Sequence, residues 1–121
     1  MDPRVRKVID LMHKNLSRKL TVRELAEPLR LSDTHLRRLF RQETGTSLMR
    51  FLRQLRMQRA KKLLKTTHLS VKEIAARGGI SNVSHFVRNF AKAYGRAPTE
   101  HRRRVSSVSN RSTAHKAQRN G

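Results

Sequence analysis

The chain has 121 residues, with 29 Lys and Arg against 8 Asp and Glu and a formal net charge of +21. That length leaves room for one domain or two very small ones, and so basic a balance suits a phosphate-bearing partner. The absence of cysteine excludes disulfides and thiolate metal sites, and no apolar run approaches a membrane span or a signal-peptide core.

Asp2-Pro3 is a helix-start pair, an acceptor for free amides followed by a ring that fixes φ. Val5, Val8, Ile9 and Met12 follow at i, i+3, i+4 and i+7, an apolar stripe that ends near Asn15. Thr21-x-x-Glu24 is a capping box, and so is Ser70-x-x-Glu73; each opens a short helix whose Ala (Ala26, Ala75) lets the next helix cross closely. Ser32 caps a helix with core face Leu36, Leu39 and Phe40, ending near Gly45. Ser47 opens a long helix to about Lys65 that carries Leu48, Phe51, Leu52 and Leu55, then Ala60, Leu63 and Leu64. Ser81 or Asn82 caps a helix with Phe86, Phe90 and Tyr94 that ends at Gly95, and Pro98 starts a last short helix to about Arg103. No alternating strand pattern occurs, so the expected fold is all-α: about seven helices, in two helix-turn-helix subdomains joined by a long central helix. Residues 1–104 form that domain, and 105–121, polar and without period, are expected to be a disordered basic tail.

The chain repeats itself. Leu20-Thr21-Val22-Arg23-Glu24-Leu25-Ala26 returns 49 residues later as Leu69-Ser70-Val71-Lys72-Glu73-Ile74-Ala75. Further on, Leu36, Phe40 and Gly45 answer to Phe86, Phe90 and Gly95 at an offset of 50, so the second copy carries one extra residue between Ala75 and Phe86. A short helix, a tight turn and a second helix describe a helix-turn-helix, in which the second helix enters the major groove of DNA and the first braces it. With Leu36, Leu39 and Phe40 inward, Thr34, Arg37, Arg38 and Arg41 lie outward; with Phe86 and Phe90 inward, Ser84, His85, Val87 and Arg88 remain. Arg38 and Arg88 each stand two residues after an inward side chain of their helix. An arginine there reads guanine O6 and N7, or clamps phosphate, or is simply a cation on a wet face. The four Phe and single Tyr sit at core spacing rather than as exposed stacking platforms, which favours duplex DNA over single strands. The six histidines have no paired metal-ligand spacing, Ser84-His85 has no acidic partner in sequence reach, and there is no Gly-rich phosphate loop; neither an enzyme nor a metal site nor a cofactor is expected. Arg50, Arg53, Arg56 and Arg59 on the long helix read as a solvated stripe, with some phosphate contact as the alternative.

The run Ile74-Ala75-x-x-x-Gly79-Ile80-x-x-x-Ser84-x-Phe86-x-Arg88-x-Phe90, with Gly95-x-x-Pro98 and His101-Arg102 after it, resembles the signature of the AraC/XylS family of bacterial transcription regulators. Leu25-Ala26, Leu31-Ser32, Leu36-x-x-Leu39-Phe40 and Glu43-Thr44-Gly45 are similar to that family's other helix-turn-helix, and the resemblance covers residues 4–103. It implies that Thr34, Arg37 and Arg38, and Ser84, His85 and Arg88, face DNA. The implied partners are double-stranded DNA and, as a second candidate, RNA polymerase. No membrane and no small-molecule ligand within this chain are expected, and a monomer would act on DNA in the cytoplasm. One departure stands in the first turn, where Arg30 replaces the glycine seen at Gly79 and Pro28 lacks an amide. A non-glycine residue in a left-handed turn costs roughly 1 kcal/mol, so a differently shaped first turn is expected. The competing readings are a sequence-neutral basic nucleic-acid binder, of architectural or RNA-associated kind, and a cationic amphipathic membrane binder. The chain is either a stand-alone regulator or part of a longer protein with a sensing domain.

Overall fold

The computed structural model describes residues 1–103; the tail expected at 105–121 lies outside the described residues. Helices α1 (Pro3–Lys14), α2 (Val22–Ala26), α3 (Asp33–Thr44), α4 (Leu48–Thr66), α5 (Val71–Arg77) and α6 (Val83–Tyr94) follow one another, with a 3-10 turn at Glu27–Leu29 and a last helix, α7, over residues 98–103. No strand occurs among the described residues.

The helix starts are set by local side chains. Thr21 and Ser70 close reciprocal capping boxes with Glu24 and Glu73, while Ser32, Ser47 and Asn82 each accept from the amide three residues on. Asn82, rather than Ser81, is thus the cap of α6. α3 and α6 both stop at a left-handed glycine, Gly45 with φ 77° and Gly95 with φ 81°.

The apolar faces make two separate cores. The first gathers Val5, Val8 and Met12 of α1, Leu25 of α2, Leu36 and Phe40 of α3, and Leu52 and Leu55 of α4. The second gathers Ala60 and Leu64 of α4, Ile74 and Ala75 of α5, and Phe86 and Phe90 of α6. Leu55 and Ala60 sit a little over one turn apart on the same helix and belong to different cores.

The repeat is structural as well as sequential. In the first turn the Leu31 amide donates to Ala26 O (3.2 Å) and the Arg30 amide to Glu27 O (3.0 Å). In the second the Ile80 amide donates to Ala75 O (2.8 Å) and the Gly79 amide to Ala76 O (3.2 Å), the same bonds 49 residues on. Arg30, at φ 57° and ψ 35°, takes the left-handed conformation that Gly79 takes at φ 75°. The expectation of a differently shaped first turn is therefore corrected: Arg30 is exposed, and the two closing bonds hold it there despite its strain. Since the turns correspond at 49 and the following helices at 50, Ser81 is the added residue of the second copy. The correspondence runs on past Gly45 and Gly95. Phe51 stacks edge-on against Phe40 at 5.2 Å, and His101, 50 residues on, stacks edge-on against Phe90 at 5.5 Å.

Two arginines stitch the loops. Arg56, expected in a solvated stripe, is instead half-buried: its Nε donates to Leu16 O (3.3 Å) and its Nη2 to Arg18 O (2.8 Å), in the loop between α1 and α2. Arg50, Arg53 and Arg59 are exposed as expected. Arg102 of α7 donates to Leu64 O (3.2 Å), Thr67 O (3.2 Å) and Leu69 O, in the segment that leads from α4 to α5. Gly79 abuts the first of these loops: a Cβ on it would lie 2.0 Å from Leu16 O and 3.0 Å from Arg56 Nε.

Two stability tests follow from these positions. Gly45 has open space around it, so Gly45→Ala should cost about 1 kcal/mol for its left-handed backbone alone. Gly79→Ala adds a collision with a main-chain carbonyl and should cost roughly 2–4 kcal/mol, measured by urea unfolding.

His101 is the second case. Burial, then the charges of Lys61 and Arg96, lower its pKa below the ordinary 6.5. The unfolded chain therefore binds this proton more readily, and the stability that neutral His101 contributes is complete above about pH 6.5 and lost as pH falls below it. His101→Phe, which copies the first unit's Phe51, should melt increasingly above the wild type as pH is lowered from about 7 to 5; parallel melting curves across that range would contradict the assignment.

Candidate nucleic-acid interface

α3 and α6 present their outer faces in the same way. On α3, Leu36, Leu39 and Phe40 are buried, and Thr34, Arg37, Arg38 and Arg41 are exposed. Thr34, Arg38 and Arg41 stand at i, i+4 and i+7, one stripe along the helix. On α6, Phe86 and Phe90 are buried, Ser84, His85 and Arg88 are exposed, and Val87 is half-buried. The structure thus leaves all seven sequence-derived site residues at the surface, on the helix that follows each tight turn.

The register adds one residue that sequence reasoning passed over. At an offset of 50, Thr34 pairs with Ser84, His35 with His85 and Arg38 with Arg88. His35 is exposed, and its amide donates to the Ser32 cap (3.1 Å) as the His85 amide donates to the Asn82 cap (2.9 Å). Extending the glycine-to-glycine offset back along both helices would have found it. The two faces diverge at Arg37 against Val87 and at Arg41 against Ala91. On α6 the Asn89 amide lies 3.4 Å from His85 Nδ1 and steadies that ring.

These cations are free to meet a ligand. Among the described residues the ion pairs are Arg4 with Asp2 (2.9 Å) and Arg18 with Glu24 (2.6 Å), and neither touches α3 or α6. Arg37, Arg38 and Arg41 line an open groove completed by Ser47, Leu48 and Met49 at the start of α4. A second groove, between α4 and α6, is lined by Arg50, Arg53, Asn89 and Lys92, so basic side chains continue from one exposed helix to the other. Unpaired guanidinium groups on a helix face can fork onto a base edge or onto phosphate oxygens. The described residues contain no cluster of side chains able to hold a metal ion, and none of their helices is long and apolar enough to cross a membrane.

Comparison with known proteins agrees with this geometry. A family model described as a helix-turn-helix domain matches residues 25–104. The Msm operon regulatory protein of Streptococcus mutans is 31% identical over 84% of this chain and 36% of its own length. A transcriptional regulator from Chromobacterium violaceum, described as containing an AraC-type DNA-binding domain, is 29% identical, with a TM-score of 0.79 over 85% of this chain and 92% of that one. The DNA-binding domain of the global transcriptional factor AdpA, solved with a target DNA, is 27% identical, with a TM-score of 0.81 over 89% of this chain and 96% of that one. The chain spans about a third of the length of the curated relatives it matches, 36% and 32% for the first two. On the matched domain and on the shared fold of two helix-turn-helix units about one long helix, the chain belongs to the AraC-type helix-turn-helix family.

Proposed function

We propose that the protein is a transcription regulator that binds double-stranded DNA by sequence, laying α3 and α6 into successive major-groove segments. The observation that carries this reading is the matched pair of outer faces, each with a small hydroxyl residue, a histidine and an unpaired arginine at the same three places. Thr34, Arg37 and Arg38 on one helix and Ser84, His85 and Arg88 on the other would meet base edges, joined by His35 from its register. Arg41, a turn further along α3, would meet the backbone. α4, at 19 residues, is about 28 Å long at 1.5 Å per residue; with the width of α3 and α6 added, it would hold the two near the roughly 34 Å at which successive major-groove faces recur, so a monomer would reach both. The proposal includes no catalytic step and no cofactor. It places the protein where bacterial DNA lies, in the cytoplasm, with RNA polymerase as the partner through which occupancy would be read.

Selection of bound duplexes from a random pool tests the function directly, with one enriched two-part motif as the expected outcome. Enrichment of no motif would favour the sequence-neutral binder instead. Neutralising about eight phosphates would make log K fall with log salt at a slope near −7, and a slope near zero would remove phosphate from the account altogether.

The arginines separate reading from gripping. Arg38→Ala and Arg88→Ala should each cost roughly 1–3 kcal/mol on the selected site and relax the preference at one position. Arg41→Ala should weaken selected and scrambled duplexes alike. Equal losses on both duplexes for Arg38→Ala would make that residue a phosphate clamp.

A further inference from the structure

We propose that Arg56 is a positioning residue: by bonding the loop of the first unit from the middle of α4, it sets the orientation of α3 relative to α6, and with it the spacing of the DNA segments they read. The second half of this statement rests on the function proposed above; the first does not.

Hydrophobic packing leaves that orientation open. The buried residues fall into one cluster per unit, and α4 runs through both. A helix alone bends and twists, so units attached along it need a brace set off its axis. The structure provides one where Leu16 O accepts from Arg56 Nε and at the same time faces Gly79, the turn residue of the second unit. The α1–α2 loop, the midpoint of α4 and the turn before α6 all converge on that carbonyl.

Arginine suits the task for a chemical reason. Its planar fork spans two acceptors, Leu16 O and Arg18 O, while a lysine would offer one point donor and an uncharged glutamine, whose Nε2 stands no further out than the arginine Nε, would miss Arg18 O and lose the fork. No carboxylate pairs with Arg56 among the described ion pairs, so main-chain carbonyls alone satisfy it. Gly79 makes the contact possible from the other side, since any Cβ there would push the second unit off Leu16 O.

The chain has no cysteine, so labels can be attached at Gln42→Cys on α3 and Ala93→Cys on α6, both exposed and outside the proposed reading faces. Double electron–electron resonance between these labels should give one narrow distance in the parent. In Arg56→Gln the distribution should broaden or shift by several ångströms with helix content unchanged, and Arg56→Lys should fall between the two. Gly79→Ala opens the same junction from the opposite side and should reproduce the Arg56→Gln distribution wherever it folds.

The DNA arm uses duplexes carrying the selected motif with its two parts moved by one base pair, a displacement of about 3.4 Å and a rotation of about 34°. The parent should lose about tenfold or more in affinity, and Arg56→Gln less than about threefold. A narrow, parent-like distance in folded Arg56→Gln or folded Gly79→Ala would overturn the positioning role. A parent indifferent to any DNA sequence would defeat the proposed function while the label distances still decided the role of Arg56. Broad distances combined with undiminished spacing discrimination in Arg56→Gln would overturn the link between orientation and spacing.

Discussion

α4 is a member of two hydrophobic cores at once, and the rest of the molecule depends on that shared membership. Units of about fifty residues bury too little surface to stand securely alone. Here each unit borrows part of one helix: Leu52 and Leu55 close the first core, and Ala60 and Leu64 close the second. The small side chains at the crossings, Ala26, Ala60 and Ala75, let short helices approach closely enough to exclude water. With the inner faces of α3 and α6 committed to these cores, their outer faces are left to small polar groups and to arginines that make no ion pair among the described residues.

The two units also solve the same loop problem in the same way. A loop between a bracing helix and a capping box exposes main-chain carbonyls that no helix satisfies. In the first unit Arg56 reaches back from α4 to Leu16 and Arg18; in the second Arg102 reaches back from α7 to Leu64, Thr67 and Leu69. The two arginines do not stand at equivalent repeat positions, so the parallel lies in the job and not in the alignment. A net charge of +21 is therefore not spent wholly on a partner, because part of the basic complement holds the fold.

What the sequence made legible was local. Capping boxes at Thr21 and Ser70, the glycines after α3 and α6, and the apolar stripes of α1, α3 and α6 each act within a turn or two, so helix bounds and inward faces could be read from spacing. The outward position of the seven candidate residues was legible for the same reason, since a helix exposes what its core positions leave over. Three features were hidden, the first because it is set across the chain and the other two because they rest on main-chain bonds that residue types do not reveal. Arg56 shares a helix face pattern with Arg53 and Arg59, and only the fold brings carbonyls 40 and 38 residues away to it. Ser81 became the added residue only when the turn bonds aligned Leu31 with Ile80. Arg30 looked unsuited to its turn because strain can be read from a residue type, whereas the two bonds that hold it cannot. His35 is hidden for a different reason: its match to His85 emerges only when the whole of α3 is set against α6 at the offset of 50.

The unequal size of the two cores has a dynamic consequence. The first draws on four helices, α1 to α4, while the second rests on Ala60, Leu64, Ile74, Ala75 and two phenylalanines, closed at its far end by α7. Cooperative opening follows buried apolar contact, which predicts that the amides of α5 and α6 exchange with solvent sooner than those of α1 to α3. On that expectation α3 stands on the stiffer unit and α6 on the more compliant one, so α6 would be the helix to yield where a surface did not match both outer faces equally well.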